Sequence, residues 1–191
     1  MPRTSRRSEA KASARRSSSL RHDAAASSVV RRQAPGSPSL SARSVKNLAD
    51  QMLSSLELPG AELSVLLAND RMMRALNRIH RKKDRTTDVL AFPLDAPPIA
   101  RPPMGAPNRA WMLGDVVISL DTAARQARAR RRSLLWEVRQ LLAHGLAHLL
   151  GYDHVRTKDR LQMGKVTRRL VRAASVGQPS RVTPDRTSAG N

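Results

Sequence analysis

Three histidines, His144, His148 and His154, stand in an H-x3-H-x5-H arrangement within the run His144-Gly145-Leu146-Ala147-His148-Leu149-Leu150-Gly151-Tyr152-Asp153-His154. The chain has five histidines in all, so three within eleven residues call for a chemical reason. Positions i and i+4 of a helix share a face, and His144 and His148 can therefore turn their imidazoles toward one ion. Gly151 is suited to end that helix, because glycine tolerates the left-handed conformation of a C-terminal cap. The resulting turn can bring His154 back to the same ion. Three neutral imidazoles leave the fourth tetrahedral position open, which is the layout of a catalytic zinc site; a structural site is closed by four protein ligands.

The residue after the first histidine matters equally. Zinc peptidases with this ligand spacing carry Glu there, as the general base of H-E-x-x-H. Here the position is Gly145. A standard metallopeptidase is disfavoured, and hydrolysis needs another proton acceptor or the metal-activated water itself.

The elements that must hold this site follow from periodicity. Residues Ser41 to Leu56 read as a helix with Val45, Leu48, Met52 and Leu56 on one stripe. Glu62 to Leu67 reads as a strand. Asn69 or Asp70 caps a helix with Met72, Leu76 and Ile79 on one face. Thr87 to Phe92 reads as a strand closed by Pro93, and Asp95 to Pro107 as a loop rich in Pro and Ala. Leu113 to Leu120 is a strand, and Asp121 caps the helix after it. Ser133 caps the long histidine-bearing helix, which runs to about Leu150, and a last helix spans Lys158 to Ala174. Strands and helices mix without a strict alternating repeat, which points to an α+β fold.

Composition adds a partner. The formal net charge is +20, a balance that favours nucleic acid or another polyanion. Aromatic residues are confined to Trp111, Trp136, Tyr152 and Phe92, so contact with RNA should lean on Arg and Lys and less on base stacking. Cysteine is absent, which excludes disulfides and thiolate metal sites and fits a reducing compartment. No apolar run approaches the roughly 20 residues that span a bilayer. Residues 1–38, rich in Ser, Ala and Arg, read as a disordered basic extension, and residues 177–191 as a second disordered tail. An organelle transit peptide is the other reading of the first segment, disfavoured because no amphipathic pattern is clear. Residues 39–176 remain as the one folded domain.

The histidine run closely resembles the signature H-G-x-L-H-L-x-G-Y-D-H of the YbeY family of bacterial rRNA-maturation endoribonucleases. The block Leu76-Asn77-Arg78-Ile79-His80-Arg81-Lys82-Lys83-Asp84-Arg85-Thr86-Thr87-Asp88-Val89-Leu90-Ala91-Phe92-Pro93 is similar to that family's L-N-x-x-Y-R-x-x-D-x-P-T-D-V-L-S-F-P. Leu113-Gly114-Asp115-Val116-Val117-Ile118-Ser119 matches its L-G-D-[IVL]-V-I-[SC] strand. The departures are Ala147 for Leu, Ala91 for Ser, Thr86 for Pro and His80 for Tyr; none removes a metal ligand. The resemblance covers roughly residues 45–175.

It implies a small mixed sheet with surrounding helices, and the expected fold is α+β: a four-stranded mixed sheet packed with about five helices, the metal site at the end of a long helix. It implies one zinc ion on His144, His148 and His154, and a single-strand-specific endoribonuclease. The implied role is maturation of the 3′ end of 16S rRNA and ribosome quality control, with ribosomal RNA and the ribosome as cytoplasmic partners and no membrane. Arg81 matches the family's functional arginine. A guanidinium there can grip a phosphate through two parallel hydrogen bonds and offset charge growing in the transition state. The alternative class is a ribosome-associated RNA-binding protein with a mainly structural metal.

Other residues have duller readings. Asp153 either orients an imidazole or accepts a proton, or else it caps the next turn. Asp88 and Asp115 are expected to hydrogen-bond within the sheet. Arg128, Arg130, Arg131 and Arg132 read as a solvated helix end. His22 and His80 are not expected to be ligands.

Overall fold

A computed structural model describes residues 25–94, 111–152 and 157–174. Four strands and five helices occur among them: β1 (Ser27–Gln33), α1 (Ala42–Ser54), β2 (Ala61–Ala68), α2 (Asp70–Arg81), β3 (Val89–Pro93), β4 (Trp111–Ser119), α3 (Leu120–Ala129), α4 (Leu134–Leu149) and α5 (Thr157–Ala173). The fold is α+β with one mixed sheet, order β1-β2-β4-β3. β1 and β4 both run parallel to β2, whereas β3 lies antiparallel to β4.

Alternation in the strands divides the interior into two layers. Leu63, Val65 and Leu67 of β2 and Leu113, Val116 and Ile118 of β4 face α1, α4 and α5, forming the main core with Leu48, Met52, Leu142 and Leu146. The opposite face carries a smaller cluster of Ala68, Met73, Leu90 and Val117 beside α2. α4 is the central pillar: Val138, Leu142, Leu146 and Leu149 are all buried. An isolated helix of this length is marginal in water. Full burial of each Leu side chain contributes about 1.5–3 kcal/mol, so packing and not intrinsic propensity keeps it helical.

Caps fix most of the boundaries. Ser41, Asn69, Ser119 and Ser133 each accept a hydrogen bond from a backbone N–H in the first turn of the helix that follows. The expected cap at Asp121 is therefore corrected to Ser119, because the helix starts directly from the end of β4. Asp121 instead accepts a hydrogen bond from the backbone N–H of Asp70 at 2.9 Å. The apolar stripe expected on α2 is also rotated. Met73 and Asn77 are the buried positions, Met72 and Leu76 are half-buried, and Ile79 is 58% exposed.

The expected N-terminal boundary at residue 38 is overturned. Ser27–Gln33, assigned above to the basic extension, forms the edge strand β1, paired from Ser27 opposite Glu62 to Gln33 opposite Ala68. Its burial is slight: Ser28 is enclosed, where its hydroxyl donates to Asp50 at 2.6 Å, and Val29 is 58% exposed. Backbone pairing stabilises this strand more than side-chain burial does, so composition gives it no signal. Arg31 and Arg32 are both exposed on it, as charges often are on an edge strand that must resist pairing with other chains. Residues 1–24 and 175–191 fall outside the described residues, as does the expected loop from Asp95 to Pro107. Among the described residues no helix is long and apolar enough to cross a membrane.

Candidate active site

Two of the three histidines, His144 and His148, sit on the last two turns of α4. His144 and His148 are half-buried, with ring centroids 4.9 Å apart and ring planes near perpendicular. Two imidazoles so placed can share an ion bound at about 2.0–2.1 Å from each, and neutral imidazole suits zinc. His154 and Asp153 lie outside the described residues. Among those described, no group of three candidate ligands forms.

The turn that leads to His154 is defined. α4 ends at Leu149, and Gly151 follows with φ +85°. Its N–H donates to the His148 carbonyl at 2.9 Å, and the Tyr152 N–H to the Ala147 carbonyl at 3.1 Å. This pair of bonds is a Schellman cap, with glycine at its left-handed position. Tyr152 packs against the main core beyond it.

Gly145 explains how α4 reaches the sheet. A Cβ at this position would stand 2.8 Å from Val116 Cγ1 and 3.2 Å from Val89 Cγ2. The position after the first histidine thus points into the strands, and a glutamate cannot be held there as a base. The peptidase reading fails on geometry as well as on sequence.

Arg81 comes to the same place from the other side of the sheet. It is the last residue of α2, and Lys82 ends the helix in the left-handed conformation. Buried Asn77 holds the turn: its carbonyl accepts from the Lys83 N–H at 3.3 Å, and its side-chain amide donates to the Arg85 carbonyl at 2.7 Å. Arg81 and the start of β3 then line one cleft of about 180 Å³ with His144, Gly145 and His148. Arg81 is exposed and makes no hydrogen bond or ion pair with another described residue. Its neighbour His80 turns away and packs its ring against Phe92, with centroids 4.8 Å apart.

Sequence reasoning missed part of this cleft. Thr87, Asp88, Val89 and Ala91 also line it. Asp88 accepts from the Val89 N–H at 2.9 Å and the Thr87 hydroxyl at 3.3 Å through Oδ1, and from the Gln126 amide at 3.0 Å through Oδ2. Both of its oxygens accept hydrogen bonds, and through them it anchors β3. The only available signal was the Thr-Asp pair before the strand. By periodicity Asn77 reads as surface, and its one signal is the match to the Asn of the L-N-x-x-Y-R block.

Asp70 forms a second polar centre nearby. Its carboxylate accepts from the hydroxyls of Ser119, Thr122 (2.8 Å) and Thr86 (3.2 Å), and pairs with Arg125 at 2.8 Å. Burial pushes this carboxyl up, but the hydrogen bonds from Ser119, Thr122 and Arg125 outweigh it and hold it below the usual carboxylate range. The arginine run after α3 is only partly a solvated helix end. Arg130 forms an ion pair with buried Glu137, and Arg132 lies 5.3 Å over the ring of Trp136.

Comparison with known proteins agrees with this architecture. The solution structure of a Thermotoga maritima protein superposes with a TM-score of 0.53 at 21% identity, over 76% of this chain and 89% of the other, a similarity of fold. Endoribonuclease YbeY of Anaeromyxobacter sp. (strain Fw109-5) is 46% identical over 154 residues, 77% of this chain and 76% of its own length. The Anaeromyxobacter dehalogenans (strain 2CP-C) protein of the same description is 49% identical over 132 residues, and that of Myxococcus xanthus (strain DK1622) 48% over 130. These alignments cover 69% and 68% of this chain, and 64% and 42% of the two relatives. The family profile described as Endoribonuclease YbeY matches residues 33–175. A match of that length, with relatives this close, means that the chain belongs to the Endoribonuclease YbeY family.

Proposed function

We propose that this chain is a single-strand-specific, zinc-dependent endoribonuclease of the cytoplasm that acts in rRNA processing, maturing the 3′ end of 16S rRNA, and in ribosome quality control. The observation that carries the reading is the meeting of Arg81 with His144 and His148 on one cleft, from segments more than sixty residues apart. An unpaired guanidinium beside two imidazoles fits a phosphodiester, with its negative oxygens, better than a peptide carbonyl. The net charge of +20 supports the same partner.

In this mechanism His144, His148 and His154 hold one zinc ion as neutral ligands. When bound, zinc supplies Lewis-acid chemistry at the phosphodiester. Arg81 binds the phosphoryl oxygens and stabilises the charge that develops on them. Thr87 and Asp88 fix the start of β3, and so the wall against which the sugar-phosphate chain lies.

The alternative is a ribosome-associated RNA-binding protein whose metal is structural, a reading favoured by Gly145 standing where metallohydrolases of this spacing carry their base. One experiment separates them. Purified full-length protein is assayed on naked single-stranded RNA with its own metal, after chelation, and after zinc is restored, with elemental analysis at each stage. Cleavage that is lost with the metal and returns with it supports the nuclease. Stoichiometric zinc with no cleavage supports the binding protein.

A further inference from the structure

A second, wider recess, which the reaction described above does not use, borders the same chain segment as the cleft. It has a volume of about 580 Å³ and is lined by Asp70, Arg71, Arg74, Asp84, Arg85 and Thr86. The two recesses divide one segment between them. Asp84, Arg85 and Thr86 face the wide recess, and Thr87 and Asp88 line the cleft. They also share α2. Arg71, Arg74, Arg78 and Arg81 follow one another at i, i+3, i+7 and i+10, a spacing that keeps them on one face. All four are exposed. From Arg71 to Arg81 the ridge is about 15 Å long.

The charges do not cancel. Arg74 is bound by Asp84 through two hydrogen bonds of 2.8 and 2.7 Å, and Asp70 is paired with Arg125 at 2.8 Å. The side chains of Arg71, Arg78 and Arg85 make no hydrogen bond or ion pair with a described residue. Both carboxylates in the recess are thus neutralised by their own arginines, and Arg71 and Arg85 remain unopposed. The Arg74–Asp84 fork also ties α2 to the segment that carries Arg85, so the two elements that bear Arg71 and Arg85 are held together. A surface of this kind suits a chain of phosphates and not a single anion, because its positive groups are spread along a line.

We propose that Arg71 and Arg85, with Arg78 between them and the cleft, form a track for the phosphate backbone of the RNA strand on one side of the bond held at Arg81. This rests on the endoribonuclease reading above. The track makes no base contacts, so it adds affinity with length and no sequence preference. A strand long enough to run from the cleft across Thr86 into the recess gains it, and a strand that fills the cleft alone does not.

The test uses the full chain and fluorescent 2′-O-methyl uridine oligomers, a trimer and a dodecamer, with affinities measured across a salt series. Wild type should bind the dodecamer more tightly than the trimer. Arg71→Gln with Arg85→Gln should lose most of that gain, and the slope of log affinity against log salt for the dodecamer should fall by about 1.4, or 0.7 per phosphate contact in a single strand. Arg71→Lys with Arg85→Lys should keep most of the gain, since a phosphate needs only the charge. Arg168→Gln with Arg172→Gln removes the same charge from exposed positions of α5 and should leave the length dependence intact. An unchanged dodecamer slope in the Arg71/Arg85 variant, or an equal loss in the α5 variant, overturns the track while leaving the nuclease reading standing. A wild-type protein that binds neither oligomer overturns both.

Discussion

A Cβ built on Gly145 would come within 2.8 Å of Val116 Cγ1, so α4 lies against β4 with no room for one more carbon. Val116 is fully buried and β-branched, and it cannot swing away cheaply. Gly145→Ala should therefore destabilise the protein by about 1–3 kcal/mol through overpacking, despite the better helix propensity of alanine. Thermal unfolding measures this. A melting temperature at or above the wild-type value would show that the helix stands off the sheet. Gly145→Glu, which restores the peptidase pattern, should fail to fold and gain no peptidase activity.

Metal content is the second prediction. His144→Ala and His148→Ala should each abolish stoichiometric zinc, as should His154→Ala. Zinc at a hundred times its Kd should stabilise the wild-type fold by about 2.7 kcal/mol, and each variant should lose that increment. Calorimetry with and without added zinc reads both. Equal stabilisation in the His148→Ala variant would remove it from the ligand set.

Arg81 should matter for cleavage and not for folding. It is exposed at a helix end and supports no packing. Arg81→Ala should keep fold and zinc while raising the barrier by about 2–4 kcal/mol, in line with other preorganised donors. Arg81→Lys retains charge without the planar fork and should recover only part of the rate. Single-turnover cleavage at wild-type speed in Arg81→Ala would reduce it to a surface charge.

Asp70 should report on acid stability. Its carboxyl titrates below its ordinary value near 3.8, so the folded state favours the ionised form. Its contribution is fully present above that value and is lost as pH falls through the lower, folded-state one. Asp70→Asn should cost about 1–3 kcal/mol at neutral pH, where it disturbs four side-chain partners. The gap between variant and wild type should then narrow below about pH 3.8. A gap that is constant from neutral pH to acid would mean that ionisation of Asp70 is not what holds the network.

What the sequence made legible was local. The helical face of His144 and His148 follows from their four-residue spacing, and the cap at Gly151 from the needs of a helix end. Both depend on neighbours within one turn. Arg81 was reached through resemblance, since nothing in its own surroundings separates it from Arg78. The illegible parts depend on distant partners. β1 exists because β2 offers a backbone ladder, not because its residues are apolar. Asn77 is buried because the Lys83 to Arg85 segment folds back onto it. Asp70 is a hub only once β4 has brought Ser119 and Thr122 beside it.

The two halves of the cleft differ in how firmly they are held. His144 and His148 ride on a helix whose flanking residues Gly145, Leu146, Ala147 and Leu149 are buried, and breaking it means dismantling the core. The arginine stands where α2 gives out, ahead of the exposed residues Lys82 to Arg85. Amide hydrogens around His148 should exchange with solvent only through global unfolding, and those after Arg81 through small, frequent openings. His144 and His148 should thus stay in place on the timescale of turnover. On the proposed function, Arg81 would release a severed strand without disturbing the metal ligands, and product escape would not wait on the slow motions of the core.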